Sequence, residues 1–188
     1  MLKALVFNPF GIGDVLFSTP LIRNLKENIK NISITYICNK RVYQLLEKNI
    51  FLDNVIVFEK DYYREYFKKS KILFFKKVFS LFNSLKKEKF DLVFDLSLNS
   101  QYGLFLKLLG IKMRIGYDFR NRGRFLTHKI KLEEGYTKKH VARYYLDLLK
   151  FLNIHPREYT FDIFLQEEEL KRQKALLNEF SYNGFLVG

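Results

Sequence analysis

A chain of 188 residues that is 48% apolar and 17% aromatic can fill one full α/β core, which excludes a disordered chain and is too short for two comfortable domains. Its one cysteine, Cys38, excludes an internal disulfide framework. No signal peptide is apparent and no apolar run approaches the ~18 residues of a membrane span, so a cytoplasmic location is expected. The net charge of +13 invites an anionic partner such as nucleic acid, phospholipid or a phosphorylated substrate, although abundant Lys, Ile, Phe and Asn also fit AT-rich coding bias.

Lys3-Ala4-Leu5-Val6-Phe7 is an apolar run of strand length. Asn8-Pro9-Phe10-Gly11-Ile12-Gly13-Asp14 follows, with a proline and two glycines that break regular structure, and then Leu21, Ile22, Leu25 and Ile29 fall at helical spacing. Strand, glycine turn, helix opens an α/β sheet, and ligands of such sheets bind outside the carboxyl ends of the strands. Ser33 to Cys38 predicts a second strand with the cysteine buried in it, and Lys40 to Lys48 a short helix. Asn54 to Phe58, Asp91 to Asp95 and Met113 to Tyr117 predict the third, fourth and fifth strands. Tyr102 to Leu109 is an apolar helix stopped by Gly110. Strands separated by helices imply right-handed crossovers and an open, doubly wound, mostly parallel sheet.

Tyr62 to Lys89 is long, basic and aromatic. Phe74, Val78, Leu81 and Leu85 align at helical spacing, with Lys76, Lys77, Asn83 and Lys87 on the other side. A crossover helix is needed here and would cover the sheet, while an interfacial helix on anionic lipid is the alternative. Thr137 to Leu152 predicts a further helix and Gln166 to Phe180 a charged one. Phe185-Leu186-Val187-Gly188 begins another strand, so a domain over 1–180 and the start of a second over 181–188 are expected.

Gly11-Ile12-Gly13 starts like a dinucleotide fingerprint, but Leu16 holds the third glycine position and no Walker sequence exists. The turn still offers free amides at a helix start, suited to an anionic group. Asp14 has two readings. It can be a helix N-cap, worth about 1 kcal/mol, or a general base at the sheet edge, kept ionised by the helix dipole at some expense in basicity. His128, His140 and His155 are scattered without metal-like spacing, and no metal or other cofactor is expected.

The string Gly11-Ile12-Gly13-Asp14-Val15-Leu16-Phe17-Ser18-Thr19-Pro20-Leu21-Ile22 resembles the N-terminal signature of glycosyltransferase family 9, which contains the ADP-heptose:lipopolysaccharide heptosyltransferases. Phe90 to Leu96, followed by Asn99-Ser100, resembles the family's central strand, and Leu109 to Tyr117 its G-x-x-x-R-I-G-Y segment. His140-x-x-Arg143-Tyr144 resembles the start of its later helix, with the histidine one residue closer. The resemblance implies the N-terminal, acceptor-binding half of a GT-B enzyme, two Rossmann-like domains facing across a cleft, with the nucleotide-sugar donor held by the other half. On that resemblance Asp14 is the catalytic base, inversion is the outcome, and this chain alone is expected to be inactive.

The expected acceptor site comprises Gly11, Gly13, Asn99, Ser100, Arg120, Arg122, Arg124 and His140. The arginines follow the fifth strand, hence the Asp14 edge, and can fork onto phosphate or carboxylate or form a solvated loop. Asn99 and Ser100 can hydrogen-bond sugar hydroxyls, or Ser100 can cap a helix. The implied partners are an anionic lipopolysaccharide-type acceptor, a nucleotide-sugar, ADP-heptose being the expected one, and the inner face of the cytoplasmic membrane as a peripheral contact. Asn8 departs from the basic residue that many heptosyltransferases carry there, which bears on acceptor and donor identity. The alternative function is a non-catalytic Rossmann-like module for an anionic glycan or nucleotide; nucleic-acid binding has charge and aromatics but no recognition motif behind it.

Overall fold

The computed structural model describes residues 1–156, 159–164, 171–172 and 174–175. The apolar run Leu2–Phe7 forms β1, and the glycine turn leads into α1 (Ile12–Phe17) and α2 (Thr19–Asn28). Then follow β2 (Ile32–Cys38), a 3-10 turn at Lys40–Val42, α3 (Tyr43–Leu46) and β3 (Asn54–Val57). Two helices, α4 (Lys60–Lys69) and α5 (Lys71–Glu88), lead to β4 (Leu92–Asp95), and α6 (Ser100–Leu108) to β5 (Met113–Phe119). Last come β6 (His128–Leu132), α7 (Val141–Asp147) and a 3-10 turn at Leu148–Leu152. The helix expected over Gln166 to Phe180 is described only at Lys171, Arg172, Lys174 and Ala175, which are helical. The strand expected at Phe185 to Gly188, and with it the boundary at 180, lies outside the described residues.

Six strands form one sheet in the order β3-β2-β1-β4-β5-β6, and every neighbouring pair is parallel. The chain leaves β1 toward one side and β4 toward the other, so the strand order reverses between them. That reversal opens a crevice at their carboxyl ends. Alternation along β1 divides the core: Ala4 and Val6 face the layer built with Leu21, Ile22, Leu25 and Tyr145, while Leu5 and Phe7 face Leu85 and Leu106. Helices α2 and α7 therefore cover one face, α5 and α6 the other. Cys38 is buried at the end of β2, and burial pushes its thiol up to about 12.

The structure differs from the sequence reading at several points. The basic aromatic segment is two helices, because Ser70 is extended (φ −163°) and its Oγ accepts the Leu73 amide at 3.4 Å, capping α5. The helix expected from Thr137 begins at Val141 and ends in a 3-10 turn, and the one expected over Lys40 to Lys48 is a 3-10 turn followed by one helical turn. Strand β6 was not anticipated. Its sequence His-Lys-Ile-Lys-Leu is an alternating edge pattern, and only residues 120–127 connect it to β5, shorter than the usual parallel crossover. The Thr127 amide donates to the Arg114 carbonyl at 2.9 Å, and Arg114 Nε donates to the Phe125 carbonyl at 2.6 Å, holding that short return against β5.

Candidate functional site

Several of the chain's buried polar groups, among them Asn8, Ser18, Asp95 and Ser97, lie around the carboxyl ends of β1 and β4. Gly11, not Asp14, occupies the N-cap position of α1, so no side chain caps that helix. Asp14 therefore stands in the first helical turn, half-buried, with its carboxylate toward α7. Desolvation raises its carboxyl above the ordinary aspartate value, and the Tyr145 hydroxyl partly offsets this. The net direction is opposite to what the helix dipole alone would give.

Three neighbouring groups are buried without a protein hydrogen-bond partner: Asn8 Oδ1, Tyr136 Oη and Tyr145 Oη. Tyr145 Oη is close enough to Asp14 to bias its titration, yet forms no bond of ordinary geometry with it. Asn8, fully buried at the end of β1, donates through Nδ2 to the Asp14 carbonyl at 3.1 Å, so the amide braces the start of α1. Ser18, between α1 and α2, donates to the Val15 carbonyl at 2.7 Å and meets Tyr36 Oη at 2.7 Å. Leaving buried polar atoms unpaired costs on the order of 1–3 kcal/mol each. Asn8 and Tyr145 are fully buried, so this polar layer lies beneath Asp14 rather than open to solvent.

Asp95 ends β4 on the other side of the crevice. Its Oδ1 accepts the Ser97 amide at 3.0 Å and the Ser97 hydroxyl at 2.5 Å, while burial pushes its carboxyl up to about 6. Burial raises the Tyr136 phenol, and the nearby charges of Asp14 and Asp95 add to the rise. Two carboxylates thus flank the switch point, one on each side of the sheet edge.

The remaining expected residues fall around this centre in different ways. Asn99 caps α6 by accepting the Gln101 amide at 2.9 Å, and Ser100 is the first helical residue, so the cap is Asn99 rather than Ser100. His140 caps α7, its Nδ1 accepting the Ala142 amide at 3.3 Å, with the ring 4.5 Å from that of Phe17 and 5.7 Å from those of Tyr159 and Phe161. Gly11 and Gly13 are exposed at the start of α1. Arg120 follows β5 directly and stands at the same sheet edge as Asp14. It and Asn121 adopt left-handed conformations (φ 51° and 59°), which turn the chain back toward β6. Arg124 lies on that return and stacks on Phe125 at 4.8 Å. The three arginines are exposed and spread along the crossover rather than gathered at one point.

Sequence reasoning did not single out Asp95, Tyr136 and Tyr145 as site residues, nor the tether that closes this side of the fold. Arg23 on α2 pairs with the buried Asp162 and donates to Thr160 Oγ1 at 2.6 Å, while the Asp162 amide donates to Thr19 Oγ1 at 2.9 Å. The one sequence signal for Asp95 was its place at the end of an apolar run, which puts it at the carboxyl edge. Among the described residues no three His, Cys, Asp or Glu side chains gather in a way that could hold a metal ion. No described helix is long and apolar enough to cross a membrane.

Fold and site together define a wholly parallel Rossmann-like domain with two carboxylates flanking its switch point. The profile of glycosyltransferase family 9 (heptosyltransferase) matches residues 78–187, and the chain belongs to that family. The matched stretch begins after Asp14. Solved structures extend the likeness to the amino terminus: a family 9 glycosyl transferase from Veillonella parvula is 20% identical over 97% of this chain and 51% of its own, with a TM-score of 0.76. The E. coli ADP-heptose lps heptosyltransferase II is 20% identical over 97% of this chain and 52% of its own, at a TM-score of 0.67. E. coli heptosyltransferase WaaC, solved with ADP-2-deoxy-2-fluoro heptose, is 17% identical over 86% of this chain and 51% of its own, at a TM-score of 0.72. The chain spans about half the length of each, and its fold is that of one half of a GT-B glycosyltransferase. A search of curated proteins returned no match.

Proposed function

We propose that this chain is the acceptor-binding half of an inverting, heptosyltransferase-like glycosyltransferase in which Asp14 is the general base. The donor is a nucleotide-sugar, ADP-heptose, and the acceptor an anionic, lipopolysaccharide-type saccharide met at the inner face of the cytoplasmic membrane. The observation that carries this is the Asp14 carboxylate, half-buried and raised by desolvation at the switch point, beside the buried hydroxyl of Tyr145.

The acceptor hydroxyl gives its proton to the Asp14 carboxylate as its oxygen attacks the anomeric carbon of the donor. The bond from that carbon to the diphosphate breaks on the opposite face, so the configuration inverts and the nucleoside diphosphate leaves. A carboxylate raised by desolvation is a stronger base than an exposed aspartate. Asn8 braces the start of α1 and Tyr145 supports the Asp14 carboxylate from beneath, while Arg120 supplies a cation at the same edge for acceptor phosphate or carboxylate. The leaving diphosphate is stabilised by groups of the donor-binding half, and proton and leaving group are both accommodated without a metal step. The solved relatives support the donor, since one carries an ADP-heptose analogue.

The test uses this chain joined to a donor-binding second half. Asp14→Asn is expected to lower transfer by about 10²–10⁴-fold, the usual contribution of a positioned base, with the fold intact by circular dichroism. Near-normal turnover would remove Asp14 from the role. The 188 residues alone are expected to show no transfer, and turnover by them would overturn the half-enzyme assignment.

A further inference from the structure

On the face opposite α7, helices α4, α5 and α6 and the carboxyl ends of β1 and β2 line a half-open cavity of about 780 Å³. That volume lies in the range of small-molecule sites. Its floor is aromatic: the Phe7 ring lies 5.0 Å from that of Tyr102 and 6.1 Å from that of Phe58. Phe74, Val78 and Leu81 of α5 form the wall. Protein interiors ordinarily close such space, but here only Leu85 of α5 is fully buried, so the amino-terminal half of that helix stands off the sheet.

The rim has a different chemistry. Lys60, Arg64 and Lys68 border the cavity at four-residue spacing, which lines them along one stripe of α4. All three are exposed; Arg64 also meets Asp61 at 3.2 Å, a pair so solvated that it leaves the guanidinium available. An apolar, ring-lined interior with cations only at its mouth matches neither a free sugar nor a nucleotide, which needs polar partners along its length. It matches a hydrocarbon chain with an anionic head.

Two further observations fix the source and the use of such a ligand. Ile72, Phe75 and Phe79 are 81%, 63% and 64% exposed on the outer side of α5, spaced by three and four residues, with Lys71 and Lys76 beside them. An apolar stripe among lysines is the surface that beds on an anionic bilayer. Tyr102, in the cavity floor, lies within electrostatic reach of both Arg64 and Asp95, so the mouth adjoins the edge where Asp95 ends β4.

We propose that the α4–α5–α6 cavity binds the hydrocarbon chain of an anionic membrane lipid, with Lys60, Arg64 and Lys68 holding its charged head. On the acceptor-half reading of the preceding subsection, this ligand is the lipid part of the acceptor, and the α4–α5 pair is the side that faces the bilayer.

The probe is dodecyl phosphate below its micellar concentration, titrated into the 188-residue chain by calorimetry, with inorganic phosphate and dodecyl maltoside as the head-only and neutral-head comparisons. One molecule of dodecyl phosphate is expected to bind saturably, inorganic phosphate not measurably, and dodecyl maltoside about tenfold more weakly. Arg64→Glu, an exposed change, is expected to weaken dodecyl phosphate about tenfold and leave dodecyl maltoside unchanged. Val78→Trp, which fills the cavity, is expected to abolish both at an unchanged far-ultraviolet circular dichroism spectrum. Equal binding of inorganic phosphate, equal binding of dodecyl maltoside, or undiminished binding by Arg64→Glu would overturn the proposal. Binding needs no turnover, so an inactive enzyme that takes up dodecyl phosphate leaves it standing, and an active one that does not removes it alone.

Discussion

Gly110 to Tyr117 and Gly11 to Asp14 both resemble segments of the family's sequence, yet they treat their polar groups in opposite ways. In the first stretch each distinctive residue is accounted for by the chain itself. Gly110 takes the left-handed position (φ 85°) that ends α6, and Arg114 donates to the carbonyls of Ile111 and Phe125. A side chain at Gly116 would lie 2.6 Å from the Asp95 carbonyl, and Tyr117 donates to the Tyr144 carbonyl at 2.8 Å. Around the second stretch the reverse holds: Asn8 Oδ1 and Tyr136 Oη are buried and unpaired, Tyr145 Oη reaches Asp14 without a bond of ordinary geometry, and the Asp14 carboxyl is raised by desolvation. A motif whose groups are satisfied internally is architecture. One that gathers unsatisfied groups at a switch point is where a ligand belongs.

Substitutions that separate stability from transfer break or sharpen this contrast. The largest effect on stability is expected at Gly116→Val, where the new side chain must displace the neighbouring strand; a loss of about 3 kcal/mol should appear in urea unfolding. Arg114→Ala leaves two carbonyls without their charged donor and is expected to lose about 2 kcal/mol in the same measurement. Asp95→Asn should act in the other direction. The folded carboxyl titrates at about 6 against an ordinary 3.8, so the folded state binds the proton more tightly. Its contribution to stability is therefore greatest in acid and is lost as pH rises from about 4 through about 6. The variant keeps the oxygen that accepts from Ser97, and is expected to flatten that slope and gain about 1–2 kcal/mol at pH 7. The smallest change is expected at Tyr145→Phe, because its hydroxyl makes no bond of ordinary geometry: stability should stay within about 0.5 kcal/mol, while the Asp14 carboxyl, losing the hydroxyl that lowers it, rises further and moves the pH profile of transfer upward.

The sheet was legible because its strands are short apolar runs divided by glycines and helical patterns, and β1, β2, β3, β4 and β5 all lie where those runs predict. β6 was not, since Lys129 and Lys131 make it read as surface and the eight-residue return from β5 is shorter than a parallel crossover normally allows. The break at Ser70 was hidden for a related reason: aromatic and lysine residues continue unbroken across it, and only the serine marks the new cap. Asp14 could be placed at the edge from the glycine turn alone. Its companions could not, because Tyr136 and Tyr145 precede and occupy a helix more than a hundred residues later and meet Asp14 only through the packing of α7 on α1. The apolar cavity was likewise invisible, since Phe74, Val78 and Leu81 read as core and only the standing-off of α5 leaves space beside them.

The contrast is tested most directly by measuring transfer and melting temperature side by side for Asp14→Asn and Arg114→Ala, each in this chain joined to a donor-binding half. The expected result is a crossed pattern: Asp14→Asn loses transfer by at least about a hundredfold and melts as the parent does, while Arg114→Ala melts several degrees lower and transfers normally per folded molecule. Transfer retained by Asp14→Asn would contradict the assignment of the switch point as the place where the acceptor hydroxyl is deprotonated.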